Sequence, residues 1–129
     1  MRVTLAEVEA AVRSAWSPET AFAREDSRAP EKASAGRGQC GPTALVVQDL
    51  LGGELVIAEV TVAGVVDGVH YWNRFGAVDV DLTRDQFLDD EVVGGPRVVQ
   101  RPSDGIKPGP ARDAYLLLRE RVLAALPDR

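Results

Sequence analysis

From Pro42 to Leu51 the chain reads as a helix that is apolar almost all round, and the pair Gly52-Gly53 stops it. Such a helix has no face to give to water, so the rest of the fold must be built around it. It is entered through Gly36-Arg37-Gly38-Gln39-Cys40-Gly41, a glycine-rich loop that sets the chain's single cysteine, Cys40, at the helix start. Unpaired N–H groups and the helix dipole at that end favour an anion, which suits a thiolate. Free cysteine is also among the most buried residue types, so this position taken alone reads as a small buried core residue.

With 129 residues the chain is expected to form one domain, residues 1–129, and its 45% hydrophobic content is that of a folded protein. A net charge of −5 with no basic cluster excludes an electrostatic footprint for nucleic acid. One cysteine cannot form an intrachain disulfide, the first nine residues carry acids where a signal peptide would be apolar, and no apolar run is long enough for a bilayer. The expectation is a cytoplasmic protein with neither nucleic-acid nor membrane partners.

Thr4 is placed to cap a first helix with Glu7 in the capping-box position, and Leu5, Val8, Val12 and Trp16 recur on one face until Ser17-Pro18 ends it. Residues from about Arg24 to Gly38 lack periodicity and read as a loop. Glu54 to Phe75 is rich in Val and Ile, with Asp67-Gly68 as a two-residue hairpin turn, and a second reversal at Phe75-Gly76 leads to a strand from Ala77 to Leu82. Thr83 to Phe87 then starts a turn or short helix. Gly94 to Pro110 reads as a long connection, and Arg112 to Leu126 closes the chain as an amphipathic helix using Tyr115, Leu116, Leu118, Val122, Leu123 and Leu126. The expected order is helix, helix, three-stranded antiparallel meander, helix: an α+β fold.

The only histidine, His70, falls in the meander. A two-residue loop at Phe75-Gly76 pairs Arg74 with Ala77, Trp72 with Asp79 and His70 with Asp81, and paired residues project to one face about 5 Å apart. Asp81 is then placed to fix the tautomer of His70, with Asp79 next in line if the loop is longer. His70, Trp72, Arg74, Asp79 and Asp81 form a mixed face opposite Val69, Tyr71, Phe75, Val78, Val80 and Leu82. Cys40 reaches His70 if its helix packs over the mixed face, on Leu55, Ile57 and Trp72. Strand alternation points Asn73 away from His70. His70 alone also fits a hydrogen-bonded strand histidine, and Trp72 and Trp16 fit core positions. A zinc site built on one Cys and one His would need several carboxylates, no phosphate-binding glycine motif is present, and no serine sits in a nucleophile elbow, so neither metal nor cofactor is expected.

Gly38 to Asp49, then His70-Tyr71-Trp72-Asn73-Arg74, then Val80-Asp81-Leu82-Thr83-Arg84-Asp85-Gln86-Phe87, resemble the YunG-like family of small bacterial proteins, a likeness covering roughly Ala15 to Phe87. More broadly, a cysteine at a helix start, a histidine on a strand and an aspartate on the next resemble the papain-like and transglutaminase-like superfamily. That resemblance implies a papain-like core in which the cysteine helix is central and packs on the meander. It also implies acyl transfer through a thioester, with Cys40 as nucleophile, His70 as base and acid and Asp81 as orienting residue. Gln39, Trp72 and Asp79 stand as further oxyanion or substrate-binding candidates. Gln39 departs from the papain-like pattern, whose oxyanion glutamine lies several residues before the nucleophile, and the backbone N–H of Cys40 is the alternative donor. The expected reading is a cysteine hydrolase or acyltransferase acting on an amide or thioester of a peptide, protein or small molecule. Its rival is an inactive scaffold that binds a peptide or small molecule, and a redox role for Cys40 lacks a resolving cysteine.

Overall fold

Thr4 opens the first helix as its sequence predicts: the Thr4 hydroxyl accepts from the Glu7 N–H at 3.1 Å while the Glu7 carboxylate accepts from the Thr4 N–H at 3.0 Å. The computed structural model describes residues 2–22, 36–101, 105–106 and 108–127. Among these the element order is α1 (Leu5–Ala15), a short 3-10 turn (Pro18–Thr20), α2 (Cys40–Leu51), β1 (Glu54–Val62), β2 (Val65–Phe75), β3 (Val78–Val80), β4 (Glu91–Val93), β5 (Arg97–Val99) and α3 (Pro110–Ala125). Most of the loop expected between Arg24 and Gly38, and parts of the connection before Pro110, lie outside the described residues. The architecture is α+β, with three helices and an antiparallel sheet in the order β3-β2-β1-β4, and β5 also on β1. No helix among the described residues is long and apolar enough to cross a membrane.

Helix α2 begins at Cys40, two residues earlier than Pro42, and packs against α3 and β2. Val46 and Val47 are fully buried in one cluster with Val8 and Val12 of α1 and Leu118 and Val122 of α3. Each such side chain is worth about 1.5–3 kcal/mol when removed from water. In α3 the inward stripe is Ala114, Tyr115, Leu118 and Val122, and the expected core residue Leu116 is instead 43% exposed.

Both hairpin turns differ from their expected positions. The first is Ala63-Gly64, with φ of +51° and +79° and Val62 paired to Val65, rather than Asp67-Gly68. Two positive φ values give the turn whose twist suits a hairpin. Asp67 is instead the extra residue where the β1–β2 register slips between Val60 and Thr61, and Gly68 pairs with Val60 inside the strand. The second turn is Gly76-Ala77, which pairs Phe75 with Val78, Arg74 with Asp79 and Asn73 with Val80. The register is thus two residues from the expected one. A shift of two leaves every side chain on its expected face.

Beyond the meander, Glu91–Val93 and Arg97–Val99 pair with opposite ends of β1 on its free side. Together they act as one edge strand broken at Gly94-Gly95-Pro96, with the Gly94 N–H donating to the Glu59 carbonyl at 2.8 Å. The connection expected from Gly94 to Pro110 therefore contains β5.

The sheet has two differently used faces. Register puts Leu55, Ile57, Tyr71 and Asn73 on one and Val56, Ala58, His70 and Trp72 on the other. Helix α2 covers the first: the Asn73 amide donates to the Ala44 carbonyl at 2.9 Å, and a Cβ on Gly41 would lie 4.0 Å from Tyr71 Cδ2. This corrects the expectation that α2 lies over the mixed face and touches Trp72. On the second face Val56, Ala58 and Trp72 make a separate buried cluster.

Candidate functional site

The loop before Cys40 is fixed from two sides. The Phe22 N–H donates to the Gly38 carbonyl at 2.9 Å. The Gln39 amide accepts from the Thr20 hydroxyl at 2.7 Å and donates to the Ser17 carbonyl at 2.9 Å. Gln39 is 3% exposed, and these contacts tie its side chain into the loop. On the other side Arg37 donates to both carboxylate oxygens of Glu91, at 2.5 and 3.0 Å, and to the Gln86 carbonyl at 3.1 Å. These ties hold the start of α2 against the segment that follows β3. Gln39 makes no side-chain cap and Pro42 has no N–H, so the backbone N–H groups of Cys40 and Gly41 are the first-turn donors of α2.

β3 pairs only with Asn73–Phe75, so His70 lies past its end. There the chain turns at Asp81 and wraps the ring. His70 is 1% exposed, stacked on Trp72 with ring centroids 5.4 Å apart and met edge-on by Phe87 at 4.6 Å. His70 Nε2 is 2.5 Å from Asp81 Oδ2. With Asp81 one step past β3, this pair is diagonal across the hairpin rather than directly opposite, which the two-residue change in register explains.

Asp81 is itself held: its Oδ1 accepts from the Thr83 N–H at 3.1 Å and from the Thr83 hydroxyl at 3.3 Å. Buried Gln86 completes the wrap. Its Nε2 lies 2.8 Å from Thr83 Oγ1, 3.1 Å from the Thr83 carbonyl and 3.3 Å from His70 Nδ1. Thr83, Gln86 and Phe87 are the site-forming residues that sequence reasoning missed. The signal was present in the turn expected over Thr83 to Phe87, where a polar Gln precedes an aromatic residue.

Burial is the largest influence and works against a charge on His70, but the hydrogen bond to Asp81, the neighbouring Cys40 thiol group and the Asp81 charge together outweigh it. The net effect raises the His70 pKa from 6.5 to about 9. Cys40 also acts on its other neighbour: burial first, then the Cys40 charge, push the Tyr71 hydroxyl upward, with Arg97 opposing. Cys40, His70 and Asp81 are thus gathered in one place, with Cys40 partly exposed.

The other candidates are placed differently. Asp79 is engaged by Arg74, Nε to Oδ1 at 2.6 Å, and by the Trp72 indole N–H at 3.1 Å, so its carboxylate serves that pair rather than His70. Trp72 is a wall of the histidine pocket. Asn73 faces α2, away from the ring.

No curated protein and no solved structure matches the chain. A family described as YunG protein does, over residues 4–127, which includes Cys40, the His70 wrap and all three helices. The chain therefore belongs to the YunG family.

Proposed function

We propose that this protein is a cysteine-dependent hydrolase or acyltransferase with a papain-like arrangement of Cys40, His70 and Asp81, acting on an amide or thioester carbonyl. The observation that carries the reading is the clamped histidine. A buried imidazole gives Nε2 to a carboxylate and feels a thiol at a helix start, the disposition that keeps a thiolate and an imidazolium side by side.

In the first step the Cys40 thiolate attacks the carbonyl carbon, a C–S bond forms, and the developing oxyanion is met by backbone N–H groups of the first turn of α2. The C–N or C–S bond of the substrate breaks, and the leaving group takes the proton of the His70 imidazolium. Neutral His70 then removes a proton from water, or from an acceptor amine, as it attacks the thioester. The acyl product departs and the thiolate–imidazolium pair is restored. Asp81 holds Nε2 throughout, which leaves Nδ1 as the nitrogen that exchanges the proton. Gln86 Nε2, 3.3 Å away, donates to Nδ1 when the ring is neutral.

Acylation by p-nitrophenyl acetate tests this directly. The expected result is a burst of nitrophenolate with the acetyl group on Cys40 by mass spectrometry, abolished in Cys40→Ala and slowed at least about a hundredfold in His70→Ala. A native protein that acetylates no faster than His70→Ala refutes the proposal.

A further inference from the structure

The first turn of α2 opens onto a cavity of about 240 Å³ between α2, β1, β2, β5 and the start of α3. Its wall next to the thiol is made by Gly41 and Tyr71, the residues that follow Cys40 and His70 in sequence, and its body by Leu45, Leu55, Val99 and Ile106. The space beside Gly41 is open: a Cβ there would find only Tyr71 Cδ2, at 4.0 Å. The charge of Cys40 reaches the Tyr71 hydroxyl, so the thiol and this wall share one environment. Polar side chains are few in the lining. Arg101 is already engaged by Asp49 at 2.6 Å and by the Tyr115 hydroxyl at 3.2 Å. At about 30 Å³ for each water-sized group the space takes about eight non-hydrogen atoms.

We infer that this cavity is the acyl pocket of the Cys40 site, and that the substrate carries an uncharged, apolar acyl group of medium length whose chain runs past Gly41 and Tyr71 when its carbonyl carbon is on the Cys40 sulfur. The inference rests on the proposed role of Cys40. Among the described residues of the lining, the only charged side chain is Arg101, which is already taken, so a zwitterionic or phosphorylated group finds no free charge partner there. An apolar chain gains from every methylene that leaves water, about fourfold each when fully enclosed.

Alkyl methanethiosulfonates of increasing chain length separate this inference from the catalytic one. Each reacts with a thiolate by forming an S–S bond to its alkylthio group and releasing methanesulfinate, so the probe needs no turnover. In the native protein the rate constant at Cys40 is expected to rise at least about tenfold from the methyl to the hexyl reagent and to level off near octyl as the cavity fills. Ala111→Phe, in the cavity wall at the start of α3, is expected to remove that rise and leave the methyl rate within about twofold. A native rate that is flat with chain length, after normalising to a free thiol, overturns the pocket whether or not Ala111→Phe folds. So does a rise that a folded Ala111→Phe leaves intact. The catalytic reading fails separately, through a methyl rate whose pH profile is the same in His70→Ala as in the native protein.

Discussion

Replacing Asp81 with Asn removes the charge that holds His70 Nε2 while keeping an oxygen for Thr83, so it isolates the electrostatic part of the clamp. The raised pKa of His70 means that the folded state binds a proton more tightly than the unfolded chain does. That contribution to stability is fully present below the unfolded value of 6.5 and is lost as the pH rises through about 9. At about 1.4 kcal/mol for each pH unit, the span from 6.5 to about 9 is worth about 3 kcal/mol, already net of the cost of burying the ring. Without the Asp81 charge the burial cost remains and the Cys40 group alone opposes it. Asp81→Asn is therefore expected to be about 2–3 kcal/mol less stable than the native protein near pH 6, with the gap narrowing to about 1 kcal/mol above pH 9. Urea unfolding at the two pH values reads the gap. Proton NMR reads its cause without ambiguity, because His70 is the only histidine in the chain. Its ring resonance is expected to titrate near 9 in the native protein and lower in the variant. A native ring that titrates at or below 6.5, or a variant equally destabilised at both pH values, refutes the electrostatic account of the clamp.

Gln86→Leu removes the amide beside His70 Nδ1 and leaves the Thr83 carbonyl without its side-chain donor, so it is expected to cost about 1–3 kcal/mol in urea unfolding. It should also slow acetylation of Cys40 while shifting the His70 NMR titration less than Asp81→Asn does. Two adjacent glycines give a contrast within the fold: both have positive φ, but a Cβ on Gly53 would lie 2.7 Å from the Arg74 carbonyl oxygen, whereas one on Gly52 meets nothing within 4 Å. Thermal melts should show Gly52→Ala losing about 1 kcal/mol and Gly53→Ala clearly more.

The helices were legible because their signals are local. Thr4 and Glu7 form the capping box their spacing predicts, and Gly52 ends α2 with φ +76° and its N–H on the Gln48 carbonyl. Strand alternation also placed His70, Trp72, Asp79 and Asp81 on one face, since parity survives a two-residue change of register. The first turn was not legible, because Asp67-Gly68 carries a stronger local signal than Ala63-Gly64. Tertiary pairing decides between them: turning at Gly64 lets β1 run from Glu54 to Val62 with Leu55 to Ala58 buried. The edge strand was hidden for a similar reason, because β4 and β5 are three residues each around Gly94-Gly95-Pro96 and gain their pairing only from β1. The site was half legible. Cys40 and His70 stand out as single residues of their type, whereas Thr83, Gln86 and the Arg37–Glu91 tie depend on how the chain wraps after β3, which no local periodicity encodes.

If Cys40 and His70 share a proton, alkylation of Cys40, the chain's only thiol, reads it out. Iodoacetamide rate constants are to be followed with pH in the native protein and in His70→Ala. At pH 6 the native protein is expected to react at least about tenfold faster than His70→Ala, which lacks the imidazolium partner. A native rate that rises only above about pH 8.5, or a profile that the loss of His70 leaves unchanged, contradicts the account.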